Sequence, residues 1–433
     1  MNLINTFKKL FENATLVKNT DNSKRKIYNK TCLPQQAISY NALKIIKRLN
    51  KAGYEAYLVG GGVRDLLLSL TPKDFDVATN ATPEQIRKLF RNCRLIGRRF
   101  RLAHVYFKNE IIEVSTFRTT NSIKSEHKCI NSGMILRDNT YGNQEDDAQR
   151  RDFTINALYY DPASECILDY TNGLADIEKH EIRIIGDPIV RYQEDPIRML
   201  RAIRFAAKLK FAIAHDTKTP FTDLQQLLWN VPPARLFEEV LKLFFSGHAH
   251  ASYQQLIEYQ FFTLLFPQTK DFMQDENFLQ LLEIALKNTD IRINKQQSIN
   301  PAFLFAVILW FPLKVFIQQQ ISHSSQIAVR QHAMQNVIQI QLETLTIPKR
   351  YTLTMREIWE LQYRFTKRQG KRAFKTLLQP RFRAAYDFLL LRSTFDPKLK
   401  PLADWWTTFQ TASKTKQNHM IKQLSIYKKS KRH

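Results

Sequence analysis

Apolar and polar positions along the chain follow two regimes. Up to about residue 187, short alternating runs are interspersed with helical stretches. From Glu194 onward the spacing is almost wholly helical, with breaks near Pro220, Pro232-Pro233, Pro267 and Pro348. The first forty or so residues are polar and rich in Lys and Asn, and predict little order. Ile38, Leu43, Ile45, Ile46 and Leu49 then recur at the spacing of one helix face, predicting a helix over 37–51. The run EAYLVG reads as a strand that ends at three glycines. VRDLLLSL reads as a second helix stopped by Thr71-Pro72, and the alternation in KDFDVAT predicts another strand. Thr82 before Pro83 and Glu84 marks a helix start. RLAHVYF and EIIEVSTFR are further strand candidates. Thr119 to Gln149 is polar and without period, so it predicts a long mobile loop, a feature that is usually functional or disordered. RRDFTINALYY restarts order, and ILDYTNGLADIEKHEIRII predicts a strand, a turn and then a helix or hairpin.

Composition sharpens this picture in one respect. With 433 residues and 44% hydrophobic content, the chain can fill about two to four cores. Its charge is the unusual quantity: 65 Lys plus Arg against 40 Asp plus Glu, a net charge of +25. Such an excess implies a polyanionic partner, foremost nucleic acid, because neutralising phosphates releases condensed counterions. A merely soluble basic protein, or a face that meets anionic lipid, is the plainer alternative. Cys32, Cys93, Cys129 and Cys166 lie far apart without CxxC or Cys/His spacing. That argues against a disulfide scaffold and a structural zinc site, and fits a reducing cytosol. The longest apolar run, Ala302 to Phe311, is too short to span a bilayer and is closed by Pro312, so it predicts a buried helix. The N-terminus has no sustained apolar core or small-residue cleavage site, and a cytoplasmic protein without a membrane segment is expected.

The candidate chemistry centres on GGGVRDLLLSLTPKDFDVAT. Gly60 and Gly61, between a strand and a helix, let backbone amides approach a triphosphate, and Arg64 one turn on can neutralise the same phosphates. The turn is neither GxGxxG nor a P-loop. Asp74 and Asp76 follow, two residues apart on a strand-like segment, and so share a face where hard cations can be held. Two such ions clamp the attacking and leaving oxygens of a phosphoryl displacement. An isolated DxD is commonly a pair of solvated carboxylates; the preceding phosphate-type turn makes the metal reading the better one. Two-metal sites usually want a third carboxylate. Asp152, after Arg150 and Arg151, is favoured. Glu113, among apolar neighbours on a probable strand, is the alternative, with pairing to Arg118 as its plainer role.

In QEDPIRMLRAIRF, Asp195, Arg198 and Arg201 fall on roughly one helix face, where a carboxylate and guanidinium groups can read a base edge. An intrahelical salt-bridge ladder is the competing explanation. Arg98, Arg99 and Arg101 alternate around Phe100, which suits phosphate contacts with an aromatic for stacking. Arg368, Lys371 and Arg372 lie in a C-terminal run where basic residues interleave with Phe365, Phe374, Phe382 and Tyr386. An RNA-backbone surface and an ordinary basic helix pair packed through its aromatics explain that run almost equally well.

Taken together, LVGGGVRD, DFDVATNATPEQI, RRDFTINAL and EDPIRMLRAIRF resemble, in order, the motifs of the class II nucleotidyltransferases, which comprise CCA-adding enzymes and bacterial poly(A) polymerases. The resemblance runs from about Tyr54 to Leu209. It implies an α+β fold: a head with a small mixed β-sheet and flanking helices, then an all-helical neck, body and tail. The corresponding segments are a flexible 1–36, a head over 37–187, a base-reading and RNA-binding neck over 188–270, a body with a C-terminal RNA-binding region over 271–424, and a basic tail, 425–433. By the same resemblance Asp74 and Asp76 hold two Mg²⁺, Gly60, Gly61 and Arg64 form the triphosphate turn, Arg151 and Asp152 match the RRD motif, and Asp195 and Arg198 read the base. Gly62 departs from the family, which more often has another small residue there. RNCRLIGRRFRLAHVYF and the C-terminal region resemble the poly(A) polymerase branch. The implied reaction is transfer of AMP from ATP to RNA 3′ ends, with RNA-decay machinery as a partner class and the chain acting as a monomer. CCA addition to transfer RNA and non-catalytic RNA binding are the rival readings.

Overall fold

The strand-forming runs of the first half pair into one sheet. The computed structural model describes residues 15–17, 26–29, 33, 35–97, 101–119, 130–131, 134–135, 141–320 and 325–430, in two units, 1–227 and 228–433. In the first unit the strands are β1 (Thr15–Val17), β2 (Lys26–Asn29), β3 (Ala56–Val59), β4 (Asp76–Thr79), β5 (Cys93–Ile96), β6 (Leu102–Phe107), β7 (Glu110–Thr116), a two-residue pair β8 and β9 (Ile130–Asn131, Met134–Ile135), β10 (Leu158–Asp161) and β11 (Cys166–Asp169). Nine of them form a sheet in the order β1-β2-β11-β10-β3-β4-β7-β6-β5. Its neighbours are antiparallel except β4 and β7, which run parallel. A parallel pair needs a crossover, and here the chain makes it through the helix Pro83–Leu89 and the β5–β6 hairpin. That helix opens on Thr82 and Gln85, which cap each other's backbone amides.

Val77, Ala78 and Thr79 are all buried, so β4 is covered on both faces. The helix Tyr40–Lys51 lies against β3 and β4 and buries Ala42, Ile45, Ile46 and Leu49. A core cluster gathers Val59, Ala78, Phe117, Ala148, Tyr159, Leu168 and Tyr170. After the sheet come the helices Gly173–Lys179, Pro188–Glu194 and Ile197–Leu209, with a short parallel ladder between β12 (Glu181–Ile182) and β13 (Ala212–Ile213).

Four local expectations change. The N-terminal segment, expected to be flexible, supplies edge strands: β2 pairs with β11, and Ile27 packs on the core cluster. The stretch expected to be loop up to Gln149 ends in a helix, Gln144–Arg150, whose Asn143 and Asp146 form a reciprocal cap. The remainder of that stretch lies largely outside the described residues. The strand expected over KDFDVAT begins at Asp76, leaving Asp74 in the preceding loop. The last helix, Lys414–Ser430, continues into the segment expected to be a disordered tail.

The second unit is helical. Pro233, Pro267 and Pro301 each stand at the start of a helix, where a missing amide costs nothing. The apolar run divides at Leu309 into Pro301–Ile308 and Trp310–Gln319, inclined by 48°. The break therefore precedes Pro312, which sits in the first turn of the second helix instead of closing the first. The run is core: Ala302, Leu304, Phe305 and Ile308 are buried, and Trp359 Nε1 donates to the Ala306 carbonyl at 2.9 Å. Among the described residues no single helix is long and apolar enough to cross a membrane.

One close approach fastens the turn after the RRD motif. A Cβ on Gly173 would stand 2.2 Å from the Thr154 carbonyl oxygen, which is backbone and has no rotamer to escape through. Around it, Asp169 accepts from the Gly173 and Leu174 amides at 3.0 and 3.1 Å, and Thr154 Oγ1 donates to Asp176 at 2.7 Å. Gly173→Ala is therefore expected to destabilise by about 1–3 kcal/mol, the usual cost of overpacking. Thermal melts would show a fall of several degrees; an unchanged melting temperature would refute this close approach.

Candidate active site

The sheet register sets the site. Val59 pairs with Asp76, Asp76 with Glu113, and Glu113 with His104. Laterally paired residues share a face, so both carboxylates stand side by side on adjacent parallel strands. Gly60 follows Val59 at φ +78°, a left-handed conformation that disfavours any side chain. A Cβ there would lie 3.6 Å from Arg151 Nη1 and 3.8 Å from Asp76 Oδ2. Glycine turn, DxD and RRD thus meet around one point. Gly62 adds a second close approach: its Cβ position is 3.3 Å from the Asp74 carbonyl oxygen and 3.4 Å from the Phe75 ring. The extra glycine lets the helix start seat on the DxD loop. Phe75 is buried between exposed Asp74, in the loop before the strand, and half-buried Asp76, and the Asp74 carboxylate is near enough to act on that of Asp76.

Burial, then Glu113 and more weakly Asp74, push the Asp76 carboxyl up to about 6 against the opposing pull of Arg151. Glu113 also has His104 Nε2 at 3.6 Å. Asp152 occupies a different environment. It accepts from Arg201 Nε at 2.8 Å, from Asn156 Nδ2 at 3.2 Å and from the Phe153 amide at 2.8 Å. Burial alone would raise its carboxyl, but the Arg201 guanidinium and these hydrogen bonds outweigh it and hold the group well below the ordinary carboxylate range.

Arg64 folds back beneath the glycine turn. It is buried, donates to Asp65 from Nε at 2.8 Å and to Asn156 from Nη1 at 2.6 Å, and lies over the Phe205 ring at 5.1 Å. Nε and Nη1 are thus taken by protein acceptors, while Nη2, bonded to Asp65, also lies 3.4 Å from the Cβ position of Gly61 in the turn. Lys208 completes the tie by donating to Asp65 at 2.9 Å. Arg198 Nη1 donates to Glu194 at 3.0 Å and to the Arg191 carbonyl at 2.7 Å, while Arg201 turns to Asp152. Arg198 is thus paired across the break between two helices, with Glu194 of Pro188–Glu194. Asp195, half-buried, ends the helix Pro188–Glu194 just before Pro196.

Three residues escaped the sequence reading. Arg191 donates to Glu194 at 2.9 Å and, from Nη2, to the carbonyls of both Arg150 and Arg151 at 2.6 Å. Burial, with Arg198 nearby, lowers its pKa to about 10. Asp147 accepts from Arg151 and from the Tyr159 hydroxyl, the latter at 2.7 Å. Asp147 to Arg151 is an i,i+4 spacing, and Arg191–Glu194–Arg198 has the spacing of a helical ladder; both spacings are visible in the sequence. The Tyr159 partnership has no local signal.

Of the basic residues proposed for RNA, Arg98 and Arg99 lie outside the described residues. Arg101 pairs with Glu84 at 2.9 Å on an exposed surface. In the second unit Lys371 and Arg372 are exposed on the first turn of Lys371–Leu377, and half-buried Arg368 lies 5.2 Å over the Trp405 ring. Phe365, Phe382 and Tyr386 are buried, so these aromatics pack the helices together.

Comparison with known proteins agrees with this layout. Family models match in three places: a poly A polymerase head domain at 56–183, a probable RNA and SrmB-binding site of polymerase A at 210–273, and a polymerase A arginine-rich C-terminus at 322–433. Poly(A) polymerase I of Salmonella typhi is 51% identical over 404 residues, covering 90% of this chain and 87% of that protein. A CCA-adding enzyme of Lactobacillus helveticus is 35% identical over 240 residues, 55% of this chain and 57% of the other. The structure of a Thermotoga maritima CCA-adding enzyme complexed with tRNA shares the fold, with a TM-score of 0.62 at 17% identity, covering 90% of this chain and 87% of that one. By its match to the curated poly(A) polymerases along nearly its whole length, this chain belongs to the poly(A) polymerase family.

Proposed function

We propose that the chain is a template-independent RNA 3′-end adenylyltransferase that transfers AMP from ATP and releases pyrophosphate. The observation that carries this reading is the 51% identity to poly(A) polymerase I over 90% of the chain, against 35% over 55% of it for the CCA-adding enzyme, together with the polymerase A arginine-rich C-terminus matched at 322–433. The convergence of glycine turn, DxD and Arg151 supplies the chemistry. The oxygens of Asp74, Asp76 and Glu113 are hard donors, and the burial and then the repulsion that lift Asp76 both favour a bound divalent cation. Among the described residues no three His, Cys, Asp or Glu side chains form a ready-made cage. Magnesium commonly takes one or two protein carboxylates and completes its shell with phosphate oxygens and water, so this donor set fits it.

In our reading Asp74 and Asp76 hold the ions, with Glu113 instead of Asp152 as the third carboxylate. When bound, the two ions would activate the RNA 3′ hydroxyl and stabilise the departing pyrophosphate. The chain supplies position and field. Amides of the Gly60–Gly61 turn and Arg151 hold the triphosphate, and Asp195 and Arg198 orient the base. Arg64 and Asp152 act beneath them: through Asn156 and Arg201 they lock the helix Ile197–Leu209 to the head. Arg101, Arg368, Lys371 and Arg372 contact the RNA backbone, with RNA decay as the setting. A cytoplasmic location accords with Cys93 and Cys166 both being free thiols.

Single-nucleotide incorporation on an A-ending RNA and on a transfer RNA lacking CCA tests the activity. Long ladders with ATP alone on the first are expected; CTP-dependent addition confined to the second would overturn the assignment within the family. Asp74→Ala is expected to lower turnover by at least about a hundredfold while RNA binding survives, measured by primer extension and filter binding. RNA affinity should fall steeply with salt.

The Asp76 shift gives a stability test. Its folded-state pKa lies above the ordinary value, so its contribution is fully present at low pH and is lost as pH rises through about 6. At pH 8 without divalent ions, Asp76→Asn is expected to melt several degrees above the parent protein. Magnesium should raise the parent's melting temperature and leave the variant's nearly unchanged. Equal stabilisation of both would place the ion elsewhere.

A further inference from the structure

Arg151 is more tightly held than a ligand-binding arginine needs to be for stability alone. Its Nε donates to the Tyr159 hydroxyl at 3.1 Å and to Asp147 Oδ2 at 3.2 Å, and Nη2 donates to the same carboxylate oxygen at 2.9 Å. Tyr159 closes the triangle by donating to Asp147 Oδ2 at 2.7 Å, and the other carboxylate oxygen accepts from the Arg118 amide at 3.3 Å. Nη1 makes no protein hydrogen bond among the described residues. It is the atom that lies 3.6 Å from the Cβ position of Gly60.

The Tyr159 ring is fixed independently of its hydroxyl. It is fully buried in β10, opposite Val59 of β3, and meets Tyr57, Phe117 and Tyr170 edge-on at centroid distances of 6.3 Å each. A phenylalanine would fill that space as well. The hydroxyl serves the polar triangle, where its environment pushes its pKa far up, chiefly by burial. It is therefore a neutral donor to Asp147 and acceptor from Arg151.

We propose that Tyr159 and Asp147 are positioning residues for the nucleotide: by occupying Nε and Nη2 of Arg151, they leave Nη1 presented over the Gly60 turn to a triphosphate oxygen. The inference rests on the reading that Arg151 contacts the triphosphate, and deepens it. Asp76 Oδ2 lies 3.8 Å from the same point, so a loosened guanidinium would have a competing acceptor beside it. The hydroxyl keeps Arg151 from spending Nη1 on the carboxylate.

The test uses the full-length protein with Mg²⁺, ATP and an A-ending RNA, comparing Tyr159→Phe, Arg151→Lys and, as a same-strand control, Tyr160→Phe. Tyr159→Phe is expected to raise KM for ATP about tenfold, the worth of a hydrogen bond to a charged group. Its kcat should stay within about twofold and KM for RNA should not change, since the interaction is made equally in ground and transition states. Arg151→Lys should raise KM for ATP at least as much, and Tyr160→Phe should leave it unchanged. If Arg151→Lys raises KM for ATP and Tyr159→Phe does not, the positioning role is wrong. If neither moves it, the Arg151 contact itself falls, and the inference with it. A loss of kcat and melting temperature together in Tyr159→Phe, without a change in KM for ATP, would make the hydroxyl merely structural and overturn the proposal.

Discussion

Asp76 beside Glu113 is the constraint around which the rest of the head is arranged. Adjacent parallel strands in this register place two carboxylates on one face, partly withdrawn from water, with Asp74 adding to the same field. Burial and like charge both oppose ionisation. A sheet optimised for stability would not keep such a pair. Such unfavourable pairs are the kind found where a bound charge completes a site.

Holding that charge in place requires opposite charges that do not collapse onto it. The head meets this by committing its arginines elsewhere. Arg64 is tied to Asp65 and Asn156, Arg201 to Asp152, Arg198 to Glu194, and Arg191 to Glu194 and to the RRD carbonyls. Buried guanidinium groups need partners, and several of these partners lie far away in the chain. Lys208 and Asp65 are separated by 143 residues, Arg64 and Asn156 by 92, and Arg201 and Asp152 by 49. Each pair pins one motif to another. Arg64 and Arg201 are in this way also struts between motifs.

This explains what could be read from the sequence and what could not. The glycine turn and the Thr82 helix start declare themselves through local chemistry, a positive φ and a side-chain cap, whereas the i,i+2 strand face expected of the DxD is not formed, because the strand starts only at Asp76. The α+β division is equally legible, because the hydrophobic period itself changes. Whether Glu113 or Asp152 neighbours Asp76 is a matter of strand partnership. No local pattern states that β4 pairs in parallel with β7, so the sequence favours the carboxylate in a recognisable motif over the one on an adjacent strand. The edge strands of the N-terminal segment were hidden for the same reason, since β2 acquires its order from β11. The helix Gln144–Arg150 was missed differently: its first turn is acidic and its cap is an asparagine, both good helix signals, but a seven-residue helix gives too few turns to show a period.

The two kinds of positive charge in this chain consequently do different work. The surplus that gives +25 is spread along the sequence, and exposed residues such as Lys371 and Arg372 act at long range, within reach of salt. They suit a polyanion whose sequence is not being read. The arginines of the head act through contacts at hydrogen-bond distance, in surroundings where screening is weak. Selection of a small anionic substrate needs that second kind. An attraction that any phosphate can satisfy cannot choose a nucleotide, whereas a single guanidinium nitrogen, held by its neighbours beside a glycine whose positive φ disfavours a side chain, can favour one placement of a triphosphate over others.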